Sequence, residues 1–274
     1  MRRFVLPCVC VSLVAYTLSA YIFFWWPFKT HTVPCPASPV AYQVAVDITA
    51  SNSDRSNWAQ QAERFVGLLK SCDSVRFRII DDHTGENGEF TGKDGSYEAI
   101  PIPLIDPNGG FGKDGTPERD AALQNVRTTL SELLAKRSGA HVSDILSIFN
   151  RLDHLASAPA KNDLVIFSDG LESAAGVGLN SFGIDMNARG ADRINLEKTC
   201  INKDNLPSLL KAAQHLSSGR SDLGKFYEVD WVVTSETGAA GCNSLSQLKD
   251  FWEGVMRAQA GGSMPRFKFE TNPF

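Results

Sequence analysis

The chain has 274 residues, of which 43% are hydrophobic, so it is long enough to form one large domain or two small ones. It carries 27 basic and 31 acidic side chains, which gives a formal net charge of -4. Because the sequence has no basic stripe that would neutralise phosphates, we expect no nucleic-acid partner.

Residues 1–28 are predicted to form a transmembrane anchor. The segment Phe4–Phe28 contains no charged residue and is long enough to cross the hydrocarbon core of a membrane as a helix. Arg2 and Arg3 precede this segment and only Lys29 follows closely, so the positive-inside rule predicts a single-pass protein with a cytoplasmic N-terminus. The main domain would then lie in the periplasm or outside the cell.

The N-terminal segment has an alternative interpretation as a signal peptide that is cleaved near Ala20. The mature chain would then begin with a very apolar stretch, which favours the anchor. With the anchor retained, residues 29–40 form a proline-rich linker and residues 41–261 form one domain. The tail over residues 262–274 has no assigned element.

The first part of the domain alternates between strand and helix patterns. Tyr42–Thr49 is an apolar run typical of a strand buried on both faces. Asn57–Cys72 follows with the spacing of an amphipathic helix. Val75–Ile80 and Ala99–Ile105 are the next predicted strands, and we expect the second to run antiparallel to its neighbour.

The middle of the domain contains two predicted helices, Pro117–Lys136 and Ser143–Ala156. A second buried strand follows over Asn162–Ser168 and stops abruptly at Asp169, much as the first strand ends at Asp47. The two buried strands therefore share one pattern, an apolar run closed by an aspartate.

A long loop over Leu171–Asp204 leads to a predicted helix over Leu206–Ser217, a strand over Glu228–Thr234 and a helix over Leu245–Ala260. Strands that alternate with helices predict an α/β fold with a doubly wound, mostly parallel central sheet flanked by helices. The reason is that parallel neighbours need crossover connections.

The carboxyl ends of the strands are the predicted place for a ligand, as in other sheets of this kind. Asp47 and Asp169 both fall at such ends, so we expect them on the same rim of the sheet. Asp47, Thr49 and Ser51 occupy alternate positions, and their oxygens can converge on one point. Such oxygens suit a hard cation, with Mg²⁺ preferred because it takes few protein ligands and with Mn²⁺ or Ca²⁺ as alternatives.

These residues resemble the metal-ion-dependent adhesion site (MIDAS) of von Willebrand factor A (vWA) domains, which include the inserted domains of integrins. The family pattern is D-x-S-x-S after the first strand, a threonine from a later loop, and an aspartate that ends the fourth strand. Asp47, Thr49 and Ser51 match the first element, with threonine in place of its first serine. Ser143 matches the loop threonine, and Asp169 matches the last element.

The resemblance covers Tyr42–Ala260 in the expected element order, with Ser138 as an alternative to Ser143. It departs from the family in its long loops and in the lack of an obvious final strand. It implies a vWA-like, Rossmann-like fold and a binding module, which the predicted N-terminal helix would anchor to the membrane. The metal would offer an open position to a carboxylate of a protein partner, in envelope adhesion or complex assembly.

Two other functions stay open at this point. A metal-assisted hydrolase such as a phosphatase would use the same carboxylates to activate water, although His141 is the only candidate for a general base. In a metal-free scaffold, Asp47 and Asp169 would merely cap turns and helices. We assign no catalytic residue and favour a binding module over an enzyme.

Four of the six cysteines lie in the part predicted to be exported, namely Cys35, Cys72, Cys200 and Cys242. An oxidising compartment favours disulfides there, and the spacing fits no zinc pattern, with reduced thiols as the alternative. Cys35 and Cys72 belong on the rim opposite the metal, whereas Cys200 and Cys242 lie in loops on the metal rim. We therefore predict the pairs Cys35–Cys72 and Cys200–Cys242.

Overall fold

The computed structural model describes residues 39–49, 56–81, 100–102, 117–136, 143–149, 161–173, 194–196, 199–216, 223–233, 242–261 and 263–274. The predicted anchor over residues 1–28 lies outside these ranges, as do Cys35, Ser51, Ser138 and His141. Within the described ranges, no helix combines the length and the apolar character that crossing a bilayer requires.

One sheet organises the described residues. Its six strands are β1 Val40–Asp47, β2 Ser74–Ile80, β3 Ile100–Pro101, β4 Lys161–Phe167, β5 Phe226–Val232 and β6 Arg266–Glu270. They lie in the order β3-β2-β1-β4-β5-β6. Only β3 is antiparallel to its neighbour, which confirms the predicted mostly parallel sheet and the predicted antiparallel strand.

Helices connect these strands. They are α1 Ser56–Leu68, α2 Pro117–Ala135, α3 Leu146–Phe149, α4 Leu206–Leu216 and α5 Leu245–Gln259, with a short 3-10 helix at Leu223–Lys225. The start of α5 shows why the chain turns helical there. The Ser244 hydroxyl accepts the Gln247 amide, and the Gln247 side chain accepts the Ser244 amide, so two otherwise unpaired donors are satisfied.

The helices cover both faces of the sheet. Val44 and Val46 of β1 belong to a hydrophobic cluster with α1 and α2, whereas Ala45 between them belongs to a second cluster with α3, α4 and α5. Successive strand residues point to opposite faces, so this alternation places one helical layer on each side. The predicted doubly wound architecture is therefore confirmed for the described residues.

The last strand corrects the expectation that the domain lacks one and that residues 262–274 form a tail without an assigned element. β6 spans Arg266–Glu270 and pairs in parallel with β5. Its sequence alternates charged and aromatic residues, and Phe269 is 2% exposed. That two-residue period is typical of a strand with one buried face, but five residues are too few to stand out in the sequence.

The strand order places a topological switch point between β1 and β4. From β1 the chain moves outward through β2 to β3, and from β4 it moves to the other side through β5 to β6. Val46 pairs with Phe167, so β1 and β4 end at the same edge, which we call the carboxyl rim. Ligands of doubly wound sheets bind at such a point.

Candidate functional site

Asp47 is the last residue of β1 and lies at the switch point, where its side chain is completely buried. Its Oδ1 atom accepts hydrogen bonds from the Thr49 amide at 3.0 Å and from the Thr49 hydroxyl at 2.7 Å. These two hydrogen bonds form a local Asp-centred turn at the end of the strand. The carboxylate and the Thr49 hydroxyl are thereby fixed beside each other, as the alternate spacing predicted.

Two further hydroxyls reach the same carboxylate from distant parts of the chain. Ser143 Oγ lies 2.7 Å from Thr49 Oγ1 and donates to Asp47 Oδ1 at 3.5 Å. Ser168 Oγ, just beyond β4, donates to Asp47 Oδ2 at 2.8 Å. All of these side chains are fully buried, so residues from three separate segments converge on one point.

Among the described residues, only neutral groups compensate the charge of Asp47. Burial raises the pKa of the Asp47 carboxyl, and the hydrogen bonds from Thr49, Ser168 and Ser143 partly oppose this rise. These donors are neutral, and no basic side chain of the described residues forms an ion pair with this carboxylate. The cost of burying this unpaired charge is relieved either by protonation, which the raised pKa favours, or by a bound cation.

Asp169 lies on the same rim, two residues beyond the end of β4, and is 3% exposed. Its Oδ1 atom accepts the Leu171 amide at 3.0 Å, which closes a tight turn. Gly170, inside that turn, has a φ of 79° that residues with a Cβ rarely adopt. The structure thus places Asp47 and Asp169 at one end of the fold, as the position of each after a buried strand predicted.

Two buried indoles donate hydrogen bonds to the backbone of the turn at Ser168–Gly170. Trp231 Nε1 donates to the Ser168 carbonyl at 3.1 Å, and Trp252 Nε1 donates to the Gly170 carbonyl at 2.8 Å. The two rings also pack on each other, with centroids 4.8 Å apart. Hydrogen bonds and packing together leave the turn little freedom to move.

Two further residues, which the sequence pattern did not predict, build this site. Ser168 directly precedes Asp169, so its hydroxyl could have been counted as a further polar group at the end of β4. Glu172 is fully buried, and its Oε2 atom accepts the amides of Ile145 and Leu146, each at 2.8 Å. Nothing in the sequence indicates that Glu172 binds these amides, because the contact joins two segments that are distant along the chain.

The cysteine predictions have different outcomes. Cys200 and Cys242 form a disulfide with a Cα–Cα distance of 5.2 Å, which confirms that pair. Cys72 is also disulfide-bonded, but Cys35 lies outside the described residues, so the pair Cys35–Cys72 stays a prediction. Ser51 lies outside them too, and its place among the ligands is a prediction in the same way.

The donor set fits a hard divalent cation. The described part of the chain gathers no group of three or more His, Cys, Asp or Glu side chains. The carboxyl rim instead offers the carboxylates of Asp47 and Asp169 with the hydroxyls of Thr49 and Ser143. A hydroxyl that donates its proton to a carboxylate still has lone pairs for a cation, so the hydrogen bonds are compatible with a bound metal.

No protein-family model matches the chain, and no curated protein sequence matches it. Among solved structures, the pilus adhesin SpaC from Lactobacillus rhamnosus GG in its open conformation is 12% identical, with a TM-score of 0.44 over 86% of this chain and 28% of that one. A von Willebrand factor type A structure from Catenulispora acidiphila is 10% identical, with a TM-score of 0.35 over 80% of this chain and 43% of that one.

Human COPII-coat protein Sec24c is 11% identical, with a TM-score of 0.32 over 81% of this chain and 32% of that one. The chain thus spans less than half the length of each of these three proteins. At such low TM-scores and identities, the likenesses carry no argument about family or function.

Proposed function

We propose that the chain is a binding module whose carboxyl rim holds a divalent cation, Mg²⁺ first and Mn²⁺ or Ca²⁺ as alternatives. The ligands would be Asp47, Thr49, Ser51 and Ser143, with Asp169 acting directly or through water. One observation carries the proposal. A fully buried carboxylate at the switch point is surrounded by hydroxyls from separate segments and, among the described residues, by no basic side chain.

Each protein group has a distinct part in this proposal. Asp47 organises the site, since it accepts the protons of the surrounding hydroxyls and so turns their lone pairs outward. Asp169 adds a second carboxylate from the next strand, while Ser168 holds Asp47 in place. A bound cation would supply an open position for an acidic side chain of a partner protein, which is what the vWA resemblance implies.

The proposed setting is the cell envelope. The sequence of residues 1–28 favours a single membrane anchor with the domain in the periplasm or outside the cell. The Cys200–Cys242 disulfide supports an oxidising compartment. Protease treatment of intact cells with a permeable outer layer tests this topology, because a domain on the cytoplasmic side would stay protected.

Metal binding is tested by titrating Mn²⁺ into the full chain purified in detergent. Wild type should show saturable binding and a rise in melting temperature, because a ligand that binds only the folded state stabilises it. Asp47→Ala should lose both effects. Asp73→Asn is the matched control, since Asp73 is another buried carboxylate that accepts backbone amides but lies just before β2, at the opposite end of the sheet.

The partner is tested by pull-down from envelope extracts with and without a chelator. Capture that depends on Mg²⁺ and is lost in Asp47→Ala would agree with an acidic partner group on the cation.

Two results would contradict the proposal. A wild-type chain that shows no Mn²⁺-dependent change in melting temperature would remove the metal from the proposal. A partner retained equally in chelator would remove the metal's role in binding.

A further inference from the structure

Glu172 joins the two loops that carry Ser143 and Asp169. It lies three residues after Asp169, and it is 0% exposed. A single oxygen, Oε2, accepts the amides of Ile145 and Leu146 at 2.8 Å each, at the start of α3. A carboxylate at this position satisfies donors that a helix start leaves unpaired.

The next residue, Ser173, binds both the backbone amide and the backbone carbonyl of Ser143. The Ser143 amide donates to Ser173 Oγ at 2.8 Å, and the Ser173 amide donates to the Ser143 carbonyl at 3.0 Å. Together with the Glu172 contacts, four hydrogen bonds connect residues 172–173 to residues 143–146. The backbone that carries the Ser143 hydroxyl is therefore fixed relative to the turn that carries Asp169.

The other end of this connection is anchored at the disulfide. The Leu196 amide donates to the Glu172 carbonyl at 2.7 Å, and the Leu196 carbonyl accepts the Asn243 side chain at 2.7 Å. Asn243 is 1% exposed and follows Cys242, which is bonded to Cys200. A continuous series of contacts thus runs from the crosslink through Glu172 to the Ser143 segment.

We propose that Glu172 is a positioning residue that sets the separation of the Ser143 hydroxyl from the Asp169 turn for cation binding. This inference rests on the proposed function, because it assigns Glu172 to the same site. Glu172 is not itself counted among the ligands, and it acts through the backbone of residues 143–146. A loss of its carboxylate should weaken metal binding while all of the proposed ligand side chains remain.

The test is Mn²⁺ titration of the full chain, wild type against Glu172→Ala and Glu172→Gln. Glu172→Ala should weaken Mn²⁺ affinity about 10- to 100-fold, as does the loss of other groups that orient metal ligands. Glu172→Gln keeps an acceptor oxygen at the same reach, so it should restore most of the affinity. Glutamine also keeps the side-chain volume, so Glu172→Met, which has a similar volume and no acceptor oxygen, separates the two causes. Glu172→Met should bind Mn²⁺ as weakly as Glu172→Ala, and Glu172→Met with wild-type affinity would show that volume and not the acceptor matters.

Asp73 provides matched controls at the opposite end of the sheet. It is 2% exposed and accepts the amides of Val40 at 2.9 Å and Lys70 at 2.7 Å, so its removal also costs two hydrogen bonds to backbone. Asp73→Ala and Asp73→Asn should lower stability and leave Mn²⁺ affinity at the wild-type value. A Glu172→Ala variant that binds Mn²⁺ as tightly as these controls would overturn the proposal.

Hydrogen exchange of the segment 143–149 separates this inference from the proposed function. If wild type itself binds no Mn²⁺, the proposed function fails, and exchange alone decides whether Glu172 fixes this segment. Faster exchange at Ile145 and Leu146 in Glu172→Ala, but not in Asp73→Ala, would support the positioning role. Unchanged exchange there would overturn it, whatever the result for the metal.

Discussion

Asp47 and Asp230 are both buried carboxylates on the central sheet, but they have different partners. Asp230, on β5, lies 3.1 Å from the Lys268 ammonium on β6, and Glu228 contacts the same lysine. Asp47, at the end of β1, receives only neutral hydroxyl and amide donors among the described residues. Among the described residues, the chain thus supplies a cation to Asp230 and only neutral donors to Asp47, and the proposed function assigns the missing cation of Asp47 to the solution.

The two regions also differ in how tightly they are built. Asp47 is 0% exposed and its neighbouring turn is held by two indoles, whereas the side chain of Lys268 is 40% exposed. Exposed charges are screened by water and have little effect on stability. Changes at the carboxyl rim should therefore cost more stability than changes in the group formed by Asp163, Glu228, Asp230 and Lys268, which we call the charged group.

The largest expected effect is that of Gly170→Ala, at the carboxyl rim. Gly170 has a φ of 79°, and an added Cβ would lie 2.9 Å from Phe269 Cζ and 3.3 Å from Trp252 Nε1. The backbone strain and the clash should together lower the free energy of unfolding by about 2–4 kcal/mol. Urea denaturation followed by tryptophan fluorescence measures this change.

Gly67→Ala is the control for that substitution. Gly67 lies in α1, and an added Cβ there would have no neighbour within 4 Å. Because alanine favours a helix over glycine, this variant should be more stable by about 0.5–1 kcal/mol. Equal effects at the two glycines would contradict the view that the carboxyl rim is the tighter region.

The next effect concerns pH and the charged group. Burial raises the pKa of Asp163 to about 6, and nearby Glu228 and Asp230 add to the rise. Burial likewise raises the pKa of Asp230 to about 6, although Lys268 opposes it. Both carboxyls therefore bind protons more tightly in the folded chain than at the ordinary value of 3.8.

The sign of the effect follows from this difference. The stability contributed by the two carboxyls is fully present below about pH 4 and is lost as the pH rises through about 6. After allowance for screening, the free energy of unfolding should fall by about 1–3 kcal/mol from pH 4 to pH 7.5. Urea denaturation in chelator should show a flatter profile for the double variant Asp163→Asn, Asp230→Asn, and an equally steep one would refute the assignment.

The smallest expected effect is that of Lys268→Met at neutral pH. Removal of the ammonium leaves Glu228 and Asp230 without their shared partner, and the lysine's exposure limits the cost to about 1 kcal/mol. In a double-mutant cycle with Asp230→Asn, the second change should recover part of the loss. Strict additivity of the two changes in thermal unfolding would show that this ion pair does not couple them.

The sequence predicted the parts of the fold that depend on local patterns. β1 and β4 each contain an apolar run, which in β1 is interrupted by Gln43 and in β4 is limited to Leu164–Phe167, and such runs indicate strands that are buried on both faces. The position of Asp47 and Asp169 after these runs then follows from the winding of a parallel sheet. Thr49 was assigned from its spacing after Asp47, whereas Ser143 was assigned from its match to the loop threonine of the vWA pattern.

Residues whose roles depend on tertiary contacts were not predictable in this way. Glu172 caps the start of α3 from 26 residues away, and a charged residue in a long loop gives no hint of complete burial. β6 was not predicted because an alternation of charged and aromatic residues over five positions is too short to distinguish from chance. The ligand assignments themselves stay predictions, since they concern what binds rather than how the chain folds.

In the part of the sheet that the structure describes, both edge strands are unsuited to pairing with another chain. β3 has only two residues, and one of them is Pro101, which has no amide hydrogen to donate. β6 carries Arg266, Lys268 and Glu270 at alternate positions. Short edges, proline and charged side chains are the features by which soluble proteins resist strand addition and aggregation. A chain with such edges can therefore be present at high density without its sheets joining.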